Sequence, residues 1–422
     1  MIEIILIFFQ ILFIGSLTFL SIPKIKRFNI PILSLVDEMA IKLLILMNIF
    51  LLFSLTSLNH IYLLILLLSS SIYILFISKD KLSLKIDIKI FYIFLIIFII
   101  SISMANDLEF SWDAKFFWFL KTITFYQNDS FLHLDKLPAT DYPHLGSYLW
   151  SFFWKFPFNT YEYSGRIFYI FFYVICVFSF CEIFNTNKLN KIIISSLIII
   201  ISYSNELFSG NQEIIIFSLI LISAKFSYQL ISLEKKLDNL NIITLLLSFN
   251  AAIWIKNEGL FLLGFMPFLL VFLAKLSLNQ KQIIIFGSIS LVILRLLVFK
   301  FLNTDLESFE FDKTFNSSFF KNLFVNIKII IFYSLVYLTS LPLILIGLLL
   351  LFYNLYTFKL DKTQIFIGSY TILNIFFIFA AFFFTMQDVE WQVRVGLKRV
   401  MFETSGFYLL TIAYLFNKTQ KQ

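Results

Sequence analysis

The sequence consists largely of apolar runs of about 20 residues, which recur along its whole length. A run of this length can cross the hydrocarbon core of a bilayer as one helix, because a helix pairs its own backbone groups. Of the 422 residues, 60% are hydrophobic and only 14% are charged, and the mean hydropathy is +0.90. Water-soluble enzymes, nucleic-acid-binding modules and disordered chains do not have this composition. The sequence therefore predicts an all-α polytopic membrane protein that lies in a lipid bilayer and has no nucleic-acid partner.

The apolar runs predict about thirteen transmembrane helices in a single integral membrane domain, residues 1–422. They cover roughly residues 2–22, 41–58, 60–78, 86–104, 164–184, 190–204, 212–232, 241–255, 259–274, 282–302, 328–353, 364–385 and 402–416. Residues 241–274 leave two interpretations open, because Lys256-Asn257-Glu258-Gly259 divides them into two short segments. The two segments are either two crossings or a tight hairpin that re-enters the membrane.

Charged residues predict the orientation of these helices. With the N-terminus outside, acidic residues gather in the outer loops, and basic residues show a modest preference for the cytoplasmic side. His60, His133 and His144 also fall on the outer side. The longest loop, residues 105–163, is then the first extracytoplasmic loop. We therefore expect the chemistry of this protein at its extracytoplasmic face.

Four polar stretches fall on this predicted outer side. One lies in the long loop, from Asn106 to Leu145, and a second is Asn211-Gln212-Glu213. The third is Lys256-Asn257-Glu258-Gly259, and the fourth runs from Glu390 to Arg399. Their convergence at one membrane face is what an active site built on outer loops would require. Polar residues also favour outer loops for solvation alone, so this alternative remains open.

Two interfacial helices are predicted within the extracytoplasmic loop 105–163. The first covers residues 112–126, which are highly apolar and follow Ser111, a typical N-cap residue. The second covers residues 143–155, with Pro143 in its first turn. Helices with such an aromatic side lie in the bilayer interface.

Asp113 is the candidate general base. It falls in the first turn of the first loop helix, where the helix dipole favours an ionised carboxylate. A carboxylate at the membrane surface beside aromatic side chains can accept a proton from a substrate. The alternative is that Asp113 only begins the helix.

Several motifs together resemble those of a known enzyme group. They are Trp112-Asp113-Ala114, Trp118, Leu120-Lys121, Asp141-Tyr142-Pro143-His144-Leu145, Lys256-Asn257-Glu258-Gly259 and Leu397-Lys398-Arg399. In this order they resemble bacterial membrane glycosyltransferases of the C-type (GT-C) fold, related to dolichyl-phosphate-mannose protein mannosyltransferases and aminoarabinose transferases. Two departures are that Ala139-Thr140 replace His-Pro before Asp141, and that Asn211-Gln212-Glu213 stands where relatives often have an Asp.

This resemblance implies a GT-C-like helical bundle in the bacterial inner (plasma) membrane. Such enzymes are inverting glycosyltransferases that move a sugar from a polyprenyl-phosphate carrier to an envelope acceptor. The acceptor is a lipid, a glycan or a protein, and the active site is extracytoplasmic. The resemblance thus makes a polyprenyl-phosphate-linked sugar the expected donor.

The resemblance also assigns roles to single residues. Arg399 is the first candidate for binding the donor phosphate, because a guanidinium grips phosphate oxygens bidentately; Arg394 and Lys256 are the second. On a helix of 3.6 residues per turn, the two arginines lie about 140° apart and cannot easily share one phosphate. Asp141 either binds the acceptor or a cation or only starts the second interfacial helix, and His144 is a candidate ligand of the substrate or of a metal ion. A divalent cation remains open as a cofactor, since one His beside one Asp falls short of a metal site.

Other charged residues have simpler interpretations. Lys256 and Glu258 form either a pair in the site or an ion pair that closes a hairpin turn. Glu206 and Glu213 are attributed to solvation of a short outer loop. Arg295, inside an apolar run, is expected to extend towards the outer surface.

Two other functions compete with a glycosyltransferase. A polysaccharide ligase or polymerase relies on a large later loop rich in Arg and His, and residues 303–327 contain neither. A lipid or sugar transporter (flippase) commonly has inverted repeats and charges at mid-membrane. The sequence has no visible repeat, and its charges lie mostly near the predicted outer face. Both observations favour the glycosyltransferase.

Overall fold

The computed structural model describes residues 2–23, 33–56, 58–77, 88–128, 131–138, 140, 142–232, 239–302, 317–384 and 388–420. Asp141 lies outside these residues. The described residues form helices and the segments that connect them, with no strand among them, so the predicted all-α class is confirmed.

Seventeen α-helices follow one another along the described residues. They are α1 (Ile2–Leu20), α2 (Leu35–Ser54), α3 (His60–Ile77), α4 (Ile88–Asn106), α5 (Phe119–Tyr126), α6 (Leu145–Lys155), α7 (Tyr163–Phe180), α8 (Lys188–Ile201), α9 (Glu213–Ser232), α10 (Asn239–Ile255), α11 (Glu258–Leu273), α12 (Leu278–Phe301), α13 (Ser317–Ser340), α14 (Pro342–Thr357), α15 (Lys362–Phe383), α16 (Val389–Gln392) and α17 (Lys398–Thr419). Two π-helical turns occur, at Ala114–Trp118 and Val393–Leu397.

Seven of these helices are long and apolar enough to cross a membrane, within the part of the chain that is described. They are α1, α3, α4, α7 with the short turn after it, α9, α12 and α15. α8, α10 and α11 have 14, 17 and 16 residues and are short for a full crossing. The chain is therefore a helical membrane protein, and about thirteen crossings stay a prediction.

The prediction of one continuous helix over residues 328–353 is wrong. α13 ends at Ser340 and α14 begins at Pro342, and the two helices meet at an angle of 100°. Proline has no N–H and excludes the helical conformation from the residue before it. Leu341 accordingly has φ −120° and ψ 76°. The break follows from Pro342.

The chain forms two compact units, each of which packs mainly against itself. The N-terminal unit comprises Met1–Glu182, Thr186–Ser218 and Asn250–Lys256. The C-terminal unit comprises Ile183–Asn185, Leu219–Phe249 and Asn257–Gln422. The third polar stretch is thus divided, because Lys256 belongs to the N-terminal unit and Glu258 to the C-terminal one.

α7 forms the core of the N-terminal unit. Every residue from Gly165 to Phe180 is buried, and the helix packs against α1, α2, α4, α6 and α8. At one end of the unit, Glu182 accepts hydrogen bonds from Lys89 and Lys191. The loop 105–163 lies at the other end, beyond the C-terminus of α4.

In the C-terminal unit, α14 and α17 pack closely. A Cβ added at Gly347 would lie 2.5 Å from the Cβ of Tyr408. α11 and α15 also pack together, and the Tyr370 hydroxyl of α15 donates to the Leu262 carbonyl at 3.0 Å. These contacts join α11, α14, α15 and α17 through small residues and aromatic rings.

We predict that Gly165→Ala destabilises the protein by about 1–3 kcal/mol, because overpacking forces the backbone to shift. A Cβ at this position would lie 2.2 Å from the carbonyl oxygen of Trp150. Gly368→Ala is the matched control, since a Cβ there meets nothing within 4 Å. The melting temperature of each variant in detergent, monitored by size-exclusion chromatography, tests this prediction. Equal melting temperatures for the two variants would contradict the packing of α6 on α7.

Candidate functional site

The first loop helix begins as the sequence predicts. Ser111 is its N-cap, because the Ser111 hydroxyl accepts a hydrogen bond from the Ala114 N–H at 3.2 Å. The same hydroxyl donates to Oδ1 of Asn211 at 2.6 Å, and the Ser111 N–H donates to the Ser209 carbonyl at 3.0 Å. The start of this helix is therefore fixed to the segment that precedes α9.

Asp113 lies in the first turn of this helix and is half-buried. On either side of it, Trp112 is 60% exposed and Phe116 is 46% exposed, and their rings are 4.8 Å apart. Further along the helix, Trp118 and Phe125 are buried. The Asp113 carboxylate thus lies near the exposed aromatic start of the helix, and the buried part of the helix follows it.

The second loop helix, α6, differs from its predicted form. It begins at Leu145 with His144 as N-cap, so Pro143 precedes the helix and does not lie in its first turn. Residues 145–153 are all buried. Protein surrounds α6 along most of its length. A position in the bilayer interface therefore remains a prediction only for the first loop helix.

His144 lies in a buried aromatic pocket beside Phe125 and Trp254. Its Nε2 is 2.9 Å from the Ser54 hydroxyl, which itself donates to the Leu51 carbonyl. The serine has one proton to give, so the imidazole Nε2 donates to it. This hydrogen bond fixes the start of α6 to the end of α2.

A second histidine bond joins α6 to another helix. Nε2 of His60, at the start of α3, is 2.8 Å from the hydroxyl of Ser151 on α6. Both histidines thus hold α6 in place. Among the described residues, no group of three His, Cys, Asp or Glu side chains could hold a metal ion.

Lys256 and Glu213 form a buried ion pair, with Nζ 3.1 Å from Oε1. Glu213 is 1% exposed and Lys256 is 5% exposed. The attribution of Glu213 to solvation is therefore wrong, because the side chain is buried against a cation. The structure places Lys256 against Glu213, which belongs to a different polar stretch.

Two amides beside this pair are also buried. Asn211 is 2% exposed and accepts the Ser111 hydroxyl bond, and Gln212 is fully buried. Gln212 Nε2 donates to the Tyr169 hydroxyl at 3.1 Å, and that hydroxyl donates to the Gly146 carbonyl at 2.8 Å. Asn211 thereby bonds the stretch before α9 to the first loop helix, and Gln212 connects the same stretch to α6 through Tyr169.

Arg166 connects several segments of the site and is not among the residues predicted from the sequence. It is 1% exposed, and its Nε and Nη2 each donate to Glu162 at 2.9 Å. A third bond goes to the Phe208 carbonyl. The guanidinium also lies 4.7 Å from the ring centre of Phe110 and 5.7 Å from that of Trp150. Burial raises the pKa of Glu162, and the charge of Arg166 opposes this rise.

The missed arginine has a detectable signal in the sequence. Glu162 and Arg166 are four residues apart, the spacing of a helical ion pair, and they stand where an apolar run begins. A charge within such a run requires a partner. The pair therefore could have been predicted.

Three of the four predicted polar stretches thus meet at one end of the N-terminal unit. Hydrogen bonds and the ion pair join Ser111 to Asn211 and Glu213 to Lys256. Their convergence agrees with the prediction, while the side of the membrane on which they lie stays a prediction. The fourth stretch belongs to the C-terminal unit.

In the C-terminal unit, Arg295 differs from its predicted role. It is 6% exposed and donates from Nη2 to Oδ1 of Asn257. The guanidinium also lies 4.9 Å from the ring centre of Phe299. The side chain thus ends in protein contacts and does not extend to the surface. Glu258 begins α11 in the same unit.

The fourth stretch carries Arg394 and Arg399. Arg394 is exposed, pairs with Glu390 and donates from Nε to the Tyr333 hydroxyl at 2.6 Å. Arg399 is half-buried in the first turn of α17. Arg394 lies within the π-turn Val393–Leu397 and Arg399 follows it, and an i→i+5 turn brings the fifth residue back towards the same side. The predicted separation of about 140° therefore does not apply, because it assumed 3.6 residues per turn.

Comparison of the chain with protein-family models, with curated proteins and with solved structures finds no match. The candidate site therefore stands on its own geometry.

We predict that Lys256→Met destabilises the protein by about 3–5 kcal/mol, because it leaves the Glu213 carboxylate buried without its cation. Adding Glu213→Gln should restore part of this loss. Thermal unfolding of the two single variants and the double variant in detergent measures the coupling between the residues. Strictly additive losses would contradict a direct ion pair.

Proposed function

We propose that this protein is a membrane glycosyltransferase that uses a polyprenyl-phosphate-linked sugar. The observation that carries the proposal is the convergence of Ser111, Asn211, Glu213 and Lys256 beside the helix of Asp113. Chain segments far apart in the sequence bring charged and amide side chains to one end of an apolar unit. Burying such groups is costly unless the protein uses them or pairs them. The order of the motifs, which resembles the GT-C group, supplies the reaction.

The surroundings of Asp113 suit a lipid-linked donor. Its carboxylate lies in the first turn of a capped helix, and exposed Trp112 and Phe116 flank it. Tryptophan is enriched where a bilayer meets water. An isoprenoid tail can lie along these rings while its phosphate and sugar stay at the polar end.

In the proposed reaction, an acceptor hydroxyl or amine attacks the anomeric carbon of the sugar while Asp113 accepts its proton. The bond between the anomeric carbon and the phosphate oxygen breaks, and its electron pair leaves with the polyprenyl phosphate. Attack opposite the leaving group inverts the anomeric centre. The leaving phosphate gains negative charge, which a bound cationic side chain would stabilise.

Arg399 is proposed to bind the donor phosphate. Of the two arginines in the fourth stretch, Arg394 is the exposed one. Arg399 is half-buried, and a less exposed guanidinium interacts more strongly with a phosphate. Asp141, outside the described residues, keeps its proposed role towards the acceptor, and His144 would combine that role with its bond to Ser54.

A transporter or flippase is the second candidate. The 100° break between α13 and α14 favours it, because discontinuous helices often form substrate sites in transporters. The two functions differ in their products. A transporter moves the labelled lipid intact, whereas a transferase breaks its sugar–phosphate bond.

We predict that Asp113→Asn lowers transfer by about a hundredfold or more, because asparagine cannot accept the proton. Asparagine keeps the shape and helix-start ability of aspartate, so folding should persist. Asp107→Asn, an exposed acid in the same loop, is the matched control and should retain activity. Radiolabelled polyprenyl-phosphate sugars and membrane extracts provide the assay. If the Asp113→Asn variant transferred sugar at nearly the wild-type rate, Asp113 would only begin the helix and would not act as the base.

Arg399→Lys should impair transfer and Arg399→Ala should impair it more, since lysine keeps the charge but loses the bidentate fork. Lys398→Ala, at an exposed neighbouring position, is the control. Initial rates at several donor concentrations measure the effect. Full activity of the lysine variant would show that Arg399 only anchors α17 at the membrane boundary.

A further inference from the structure

The helix that carries Asp113 contains a π-turn directly after this residue. The Phe119 N–H donates to the Ala114 carbonyl, five residues back, where an α-helix would bond four residues back. Such turns are rare, and they are frequently found at functional sites. Something in the surroundings must therefore stabilise it.

Two hydroxyls bind the carbonyl at the end of this π-turn. The Thr122 hydroxyl donates to the Trp118 carbonyl at 2.8 Å, and the Ser147 hydroxyl of α6 donates to the same oxygen at 2.9 Å. Thr122 and Ser147 are both fully buried. Side-chain hydroxyls that bond a helix carbonyl draw it off the helix axis, which bends or widens the helix.

α6 is a rigid support for the Ser147 hydroxyl. His144 bonds to Ser54, Ser151 bonds to His60, and the Gly146 carbonyl accepts a bond from Tyr169. Three contacts to three other helices thus fix α6 on both sides of Ser147. The position of the Trp118 carbonyl follows from them.

The C-terminal unit contains a related contact. The Tyr337 hydroxyl of α13 donates to the Arg394 carbonyl, within the π-turn Val393–Leu397, at 3.2 Å. A hydroxyl from a neighbouring helix thus binds a π-turn carbonyl in each unit, within the described residues.

We propose that Ser147 and Thr122 are positioning residues that hold the π-turn and thereby set the direction of the Asp113 carboxylate. A π-turn contains one more residue than an α-turn, so it rotates the residues before it relative to those after it. Asp113 stands directly before the turn, and Thr122 and Ser147 bind its end. The role in catalysis rests on the proposed function, whereas the hold on the π-turn does not.

The kinetic test removes the hydroxyls with little change of shape. Thr122→Val with Ser147→Ala should lower kcat at least tenfold and leave the donor KM within about twofold, because the base is misdirected while the donor still binds. Thr122→Ser keeps its hydroxyl and should retain wild-type kcat. Thr124→Val is the matched control, since the Thr124 hydroxyl bonds the Leu120 carbonyl beyond the π-turn.

A distance measurement tests the π-turn without any assay of transfer. Nitroxide labels at Lys115 and Gln127, both exposed, report the rotation of the first turns against the rest of the helix. In proteoliposomes, the double variant should shift their distance by roughly 3 Å or more, since one residue of register turns a helix by about 100°. Thr124→Val should leave the distance unchanged.

The outcomes separate the two parts of the proposal. An unchanged distance in the double variant overturns the hold on the π-turn. A shifted distance with unchanged kcat overturns the positioning of Asp113. Full activity of the Asp113→Asn variant, or no transfer by the wild-type protein, would reject the proposed function. In that case the distance between the two nitroxide labels would still show whether Thr122 and Ser147 hold the π-turn.

Discussion

The buried guanidinium of Arg166 is the interaction on which the candidate site depends. A cation inside an apolar unit is stable only if its donors are bonded, and Arg166 satisfies this through Glu162 and the Phe208 carbonyl. Its faces lie against Phe110 and Trp150. The arginine therefore brings the start of the first loop helix, α6 and the segment before α9 to one end of α7. The Ser111–Asn211 bond and the Glu213–Lys256 pair lie in that arrangement.

The positions of the helices can be predicted because the length of an apolar run in the sequence is a strong signal. Within the described residues the predicted spans fall on helices, although residues 328–353 form two helices and not one, and residue type alone identifies Ser111 as an N-cap. Residues 328–353 resemble one helix because their hydropathy continues across Pro342, although proline marks the break. The burial of α6 cannot be predicted, because an aromatic helix at a membrane surface and one in a protein core have the same sequence pattern.

Single residues of the site are harder to predict than its location. The sequence indicates which stretches meet, and the structure pairs Lys256 with Glu213, a partner that the sequence does not single out. Sequence proximity favours local pairs, whereas partners across helices depend on packing that one sequence does not reveal. The π-turns escape prediction for a similar reason. Carbonyls of these turns accept hydrogen bonds from hydroxyls on other helices, such as those of Ser147 and Tyr337.

The proposed function requires that the protein break the sugar–phosphate bond of a polyprenyl-linked donor. The most direct measurement reconstitutes the purified protein in vesicles with donors labelled separately in the sugar and in the phosphate, together with membrane extracts as acceptor. We expect the sugar label to move to the acceptor while the phosphate label stays with the lipid. Both labels remaining on one intact lipid that changes leaflet would contradict a transferase and indicate a flippase.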